Sequence, residues 1–272
     1  MPIVIISRGS MSGGEELAQH VATTLSLPCL GREIVVEAAA KIGVPQDVLR
    51  KKLVTSPGLW DRLTFERRMY VTAVQTALAE AAADGNLVYH GHAGHLLLRE
   101  LPFALRVRLI APLARRKLAV VERQGLQPAA AERYVRQVDD ERARWTRFMY
   151  NVDLADPQFY DVVVNLETLS LGAAGQIVLT AVAQPEFAVT AEVRRRLDDF
   201  VLACRVRLAL ATHPASRTLD LRVAATDGAV TLTGEPQSML LARTSARVER
   251  EVRGIVEAVP GVGSVEIREG IV

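Results

Sequence analysis

Residues 7–17 read SRGSMSGGEEL, a stretch whose types and spacing suit the binding of an anion. An apolar run, Pro2 to Ile6, leads into glycines at 9, 13 and 14, and Leu17, Val21 and Leu25 then recur at helical spacing. A strand, a glycine turn and a helix N-terminus aim several backbone N–H groups at one point, as phosphate binding requires. Gly9 and Gly14 keep the G-x-x-x-x-G spacing, and Met11 stands where the dinucleotide fingerprint has its middle glycine. Glu15 and Glu16 occupy the places where such a loop ordinarily carries Lys and Ser/Thr, so two anions open the helix. Any doubly wound fold also needs a tight glycine turn after its first strand. Spacing alone leaves both readings open.

Two further stretches carry chemistry. HGHAGH at 90–95 places His90 and His92 at i, i+2, with His95 three residues on. Three imidazoles can bind a metal, but no acidic or cysteine partner lies nearby and no metal is expected. The stretch reads either as a strand end entering a helix through Gly91 and Gly94, or with His92 as a donor aimed at phosphate from the strand's C-terminal edge, where open α/β sheets bind ligands. The other stretch is cationic: Arg115, Arg116, Lys117 and Arg123, then Arg142, Arg144 and Arg147 behind Asp139, Asp140 and Glu141. Such runs ordinarily form solvated helix faces, yet Arg also grips phosphate oxygens bidentately. Two Arg-bearing helices joined by a turn would make a lid over a phosphoryl-transfer site.

The elements that must position these residues follow from the apolar pattern. Four short runs, at 2–7, 87–90, 105–110 and 161–166, are β-branched and unalternating, as in a parallel sheet covered on both faces. Helices are expected at 14–26, 32–42, 62–84, 113–124, 128–150 and 173–183, which gives a three-layer α/β domain over residues 1–184. Pro185 marks a boundary. Beyond it a helix over 190–212 leads to two period-two strands around Asp227-Gly228, a strong hairpin signal. A helix over 238–258 and a last strand complete a small α+β domain, residues 190–272, in the order α-β-β-α-β.

Composition agrees with a folded chain: 272 residues, 49% hydrophobic and 24% charged. The net charge of +2 gives no bulk attraction to nucleic acid or to an anionic membrane, so neither is expected as a partner. Cys29 and Cys204 lie far apart without a CxxC, which excludes a disulfide framework and suggests a reducing compartment. The first apolar run is too short for a signal peptide or a membrane span. A cytoplasmic location is the expectation.

The stretch SRGSMSGGEELAQHVATTLSLPCLGREIVVEAAAKIGVP resembles the opening of the cytidylate kinase-like family. So do LVYHGHAGHLL, the APL turn after the 105–110 strand, and ERARWTRFMYNVDLADPQFYDVVVNLETL. The resemblance runs in order over about residues 1–184. It implies a P-loop kinase type of parallel sheet and transfer of a phosphoryl group from ATP, with Mg2+, to CMP or a related acceptor. It also implies that Gly9, Ser10, Ser12, Gly13 and Gly14 bind the ATP phosphates. Arg116 matches a lid arginine, and Arg142 and Arg147 match the arginines that clamp the transferring phosphoryl. Arg32 and His92 fall at acceptor-binding positions, while Asp161 matches a structural position. Glu15, Glu16, Gly31, His92 and Ala119 depart from the lysine, hydroxyl, aspartate, arginine and second lid arginine of the family pattern. Those departures favour a rival expectation, a catalytically inactive nucleotide sensor or an assembly protein.

The C-terminal region resembles a BON domain, carried by DGAVTLTGE, SMLLARTSARVEREVRGI and VPGVGSVEI. The resemblance implies a module for ligand binding or self-association. With 12 basic and 11 acidic side chains from Thr190 onward, attachment to an anionic bilayer is not expected.

Overall fold

The computed structural model describes residues 2–41, 64–234 and 246–269. Parts of three expectations lie outside these residues: the IGVP stretch at 42–45, the start of the 62–84 helix, and residues 238–245 of the penultimate helix.

Five parallel strands form the larger sheet: β1 (Ile3–Arg8), β2 (Cys29–Gly31), β3 (Leu87–His90), β4 (Ala104–Ile110) and β5 (Val162–Asn165). Their spatial order is β2-β3-β1-β4-β5, with β1 at the centre. The alternation of side chains along β1 explains why its sequence shows none. Ile3 and Ile5 enter one core, with Tyr70, Leu78 and Leu98. Val4 and Ile6 enter another, with Leu17, Val21 and Val178. Both faces being covered, every position from Ile3 to Ile6 is apolar.

On the first face lie α2 (Arg32–Lys41) and α3 (Thr64–Ala81), and on the second lies α1 (Gly14–Leu25). The four-residue α4 (Gly94–Leu97) opens the segment after β3. Beyond β4, α5 (Leu113–Gln124) and α6 (Pro128–Tyr150) form an antiparallel pair. Their own small core is Val120, Ala131 and Val135, with Met11 of the glycine loop against it. After β5, α7 (Leu171–Val182) returns to the second face, its first turn capped by the Ser170 hydroxyl.

A long helix, α8 (Ala191–Thr212), starts at a Thr190 cap. The antiparallel strands β6 (Leu221–Thr226) and β7 (Ala229–Gly234) follow, then α9 (Ala246–Glu257) and β8 (Ser264–Glu269), which pairs parallel to β7. At the hairpin Asp227 and Gly228 take φ values of 47° and 80°, the left-handed pair a two-residue turn demands. Two cores share α8. Leu197, Phe200, Val201, Cys204 and Leu208 pack into the core of the large sheet. Leu202, Ala203, Val206 and Leu210 pack beneath the small one. Among the described residues, no helix is long and apolar enough to cross a membrane.

Candidate functional site

Where β1 and β4 end, a cleft of about 230 Å³ opens, lined by Arg8, Gly9, Arg108, Arg116, Asp139 and Arg142 among others. The C-terminal edge of a parallel sheet is where such folds bind ligands. The glycine loop borders the cleft at Gly9. Gly13 sits at φ 82° before the first helical residue, a left-handed conformation that a side chain disfavours. A Cβ on Gly14 would collide with the Arg8 side chain, which crosses directly over the start of α1.

The loop is held by internal bonds. The Ser10 N–H donates to Asp139 Oδ1 at 3.1 Å, and the Ser10 carbonyl accepts from Arg116 Nε at 2.6 Å. Arg116 Nη2 and Asp139 Oδ2 pair at 2.5 Å. A carboxylate of α6 thus takes one amide of the loop and the guanidinium of α5 together. Ser12 donates its hydroxyl to the Gly9 carbonyl at 3.0 Å, and both serines are buried. Of the five expected loop residues, Gly9 is the one that lines the cleft.

The two acids at the helix start have separate surroundings. Glu16 forms an ion pair with Arg123 of α5, which ties the first turn of α1 to that helix. Glu15 is exposed and holds the half-buried Cys29 thiol above its ordinary value, after the larger effect of burial. The side chains in the lysine and hydroxyl positions are therefore one solvated acid and one strut.

Arg142 lies on the buried side of α6. Burial first, then the nearby charges of Arg8 and Arg32, lower its pKa to about 10, with Asp139 opposing. Guanidinium groups crowded in a low-dielectric cleft favour an anionic guest. Arg147, by contrast, has a 70% exposed side chain 3.6 Å from Asp153. Asp153 lines the cleft and Arg147 does not, so the structure brings Arg116 and Arg142 together and leaves Arg147 at the rim.

His92 faces α6. Its Nε2 lies 2.9 Å from Thr146 Oγ1, and that hydroxyl donates to the Arg142 carbonyl. The remaining lone pairs of the hydroxyl then accept from His92 Nε2–H, which selects a neutral imidazole protonated at Nε2. Burial, then Arg32 and Arg142, holds its pKa well below the ordinary histidine value. The Trp145 ring stands edge-on at 4.9 Å. His92 is thus a neutral tie between the end of β3 and α6, beside Arg32 at the start of α2. At Gly31, an added Cβ would meet the His90 ring at 3.2 Å and Glu33 Oε2 at 3.0 Å. A side chain there would require the His90 ring and the Glu33 carboxylate to shift.

His95 hydrogen-bonds the Tyr160 hydroxyl at 3.3 Å, and that hydroxyl donates to the Leu154 carbonyl at 3.0 Å. Arg108 donates to Ser7 Oγ and stacks 5.6 Å above the Tyr160 ring. Asp161 takes a bidentate guanidinium contact and a backbone N–H from Arg106, in keeping with a structural role. Among the described residues, no group of three or more His, Cys, Asp or Glu side chains stands ready to cage a metal ion.

The sequence did not assign Arg8, Arg108, Asp139 or Asp153 to the cleft. A signal existed for one. LRVRLI carries two arginines at period two inside an otherwise buried strand, and the second reaches the cleft rim. Arg8 and Asp139 are marked by no spacing.

The family model described as Cytidylate kinase-like family matches residues 3–168. The cytidylate kinase of Pyrobaculum islandicum is 26% identical over 183 residues, covering 66% of this chain and 91% of that protein. That of Ignicoccus hospitalis is 28% identical over 169 residues, covering 61% and 90% respectively. An uncharacterized protein from Eubacterium ventriosum ATCC 27560 has the same fold over 67% of this chain and 98% of its own. Its TM-score is 0.53 at 17% identity.

Proposed function

The chain belongs to the cytidylate kinase-like family, and from that premise we propose that it binds ATP in the arginine-lined cleft and transfers the γ-phosphoryl to CMP or a related nucleoside monophosphate. The observation that carries this reading is the convergence of Gly9, Arg116 and Arg142 at the C-terminal edge of the sheet. Phosphoryl transfer is chiefly a matter of positioning and of stabilising charge on the transferred oxygens. Arg142, already surrounded by cations, is suited to that charge, and Arg116 reaches the same space from α5. Arg147 would act at the rim through Asp153. Arg32 and the neutral His92 would face the acceptor.

Magnesium would accompany the nucleotide, neutralising charge on the phosphates. Asp140 is a carboxylate of the cleft that fits it, as a cation held mainly by phosphate and water needs one or two such groups.

A nucleotide sensor is the second reading, favoured by the Asp139 carboxylate on the Ser10 amide and Arg116. CMP-dependent ADP release under saturating magnesium separates the two, measured on the parent and on Glu15→Lys with Glu16→Ser. Parent turnover near the ordinary enzyme rate of roughly 10 per second supports the kinase. Turnover by the double variant alone identifies the acids as the block. ATP binding without turnover by either protein supports the sensor.

The two-part organisation, 1–184 and 190–272, belongs to the same proposal, with α8 as the joint. The α-β-β-α-β order supports a BON-like module for a ligand or for self-association.

A further inference from the structure

We propose that Arg8, placed on the strand before the loop, supplies the phosphate-binding cation that the start of α1 lacks. This inference rests on the nucleotide reading above and assigns a residue that the family resemblance did not single out.

Three observations converge on it. Arg8 is the last residue of β1 and lines the cleft. Its side chain crosses Gly14, so it passes over the helix N-terminus where the loop lysine of a phosphate cradle would project. Its Nε is buried and has no hydrogen-bond partner among the described residues. An unsatisfied buried donor costs about 1–3 kcal/mol, and buried polar groups are otherwise nearly always paired. Two other cations of the cleft wall differ on this point. Arg116 is engaged by the Ser10 carbonyl and Asp139, and Arg108 by Ser7 and the Tyr160 ring. Arg8 is also among the charges that depress Arg142 and His90, so its positive field extends into the cleft. An anion lying on the loop would satisfy the Nε donor and offset that field together.

The exchange is chemically direct. In a lysine-bearing loop, the cation follows the last glycine and reaches up from the helix. Here Glu15 holds that position and is exposed, while the stem of Arg8 packs over Gly14 from the other side of the glycine turn. The absence of a side chain at Gly14 is what allows it to cross.

The test is calorimetric titration of the full chain with ATP and with AMP in magnesium buffer. Arg8→Met keeps the length of the stem and removes the charge. It should weaken ATP binding by about tenfold to a hundredfold, the range for a hydrogen bond to a charged group. AMP affinity should change less than about twofold, because AMP lacks the phosphates in question. Adding Glu15→Lys to Arg8→Met should restore most of the lost ATP affinity. If Arg8→Met fails to fold, Arg8→Gln carries the same test. Equal losses for ATP and AMP would mean a packing role and overturn the proposal. Parent-like ATP binding by the variant, or no rescue by the lysine, would also overturn it while leaving the nucleotide reading intact. A parent that binds neither nucleotide would overturn both.

Discussion

The five-stranded sheet buries both faces and gathers its charged groups at one edge, whereas the three-stranded sheet alternates buried and exposed residues along β7. The first plan yields a cleft with Arg8, Arg108, Arg116 and Arg142 on its walls. In the second, Arg68 with Asp220 and Arg207 with Glu100 reach across to the larger part, while others, such as Arg247 with Glu251 and Arg268 with Glu266, are short-range and exposed. Exposed pairs of this kind contribute little. The difference locates the chemistry in the larger sheet, and the shared helix α8 is what makes the smaller one relevant to it.

Breaking that joint should have the largest effect. Phe200 is 5% exposed and sits in the core of the large sheet, one residue from Val201 in the same core and two from Leu202 in the other. Phe200→Ala should cost about 3–5 kcal/mol. Because α8 belongs to both cores, the loss should appear in one cooperative transition followed by far-UV circular dichroism in denaturant. Two separated transitions in the parent would show that the sheets are independent.

Acid should act next, and on the larger sheet. Burial, then Arg108 and Arg106, lowers the His95 pKa to about 3, and His92 is depressed in the same direction. The unfolded chain binds protons on these imidazoles below about pH 6.5, while the folded chain does not. Stability is therefore fully present above that value and falls as pH drops toward 3. At pH 5 the loss should be about 2 kcal/mol for His95, with His92 adding to it in the same direction. Denaturation curves at pH 7 and pH 5 check this, and His95→Gln should flatten the slope by roughly one proton. A stability unchanged between these two values would contradict the burial of both imidazoles.

A smaller effect should follow from freeing the loop. Asp139→Asn removes the carboxylate from the Ser10 amide and Arg116. ATP affinity should rise by about tenfold, since a charge-assisted competitor for the same donors is gone. Weaker ATP binding in this variant would mean that Asp139 is part of the binding surface and no competitor.

Legibility in the sequence divides along the same line. The helices α5 and α6 fall at 113–124 and 128–150, as expected, because Pro112, Gly125 and Pro128 fix their ends. The hairpin at Asp227-Gly228 was equally legible, its two positive φ values written in its residue types. The strand β2 was not, since three residues after Pro28 carry no period. At the site, spacing and resemblance pointed to the loop and to Arg116 and Arg142. They gave no view of Asp139 on the Ser10 amide, a contact across 129 positions, nor of the Arg8 side chain turning back over Gly14. Contacts of that kind depend on how β1, α1 and α6 meet, which no local pattern encodes.

The central claim is that nucleotide phosphates bind among the arginines at the edge of the large sheet. Its most direct test is titration of the full chain with ATP, with and without magnesium, alongside Arg142→Ala and Arg147→Ala. Saturable binding by the parent is expected, with a loss of about tenfold or more for Arg142→Ala and a smaller loss for the rim residue Arg147. No binding by the parent, or an Arg142→Ala variant that binds like it, would contradict the claim.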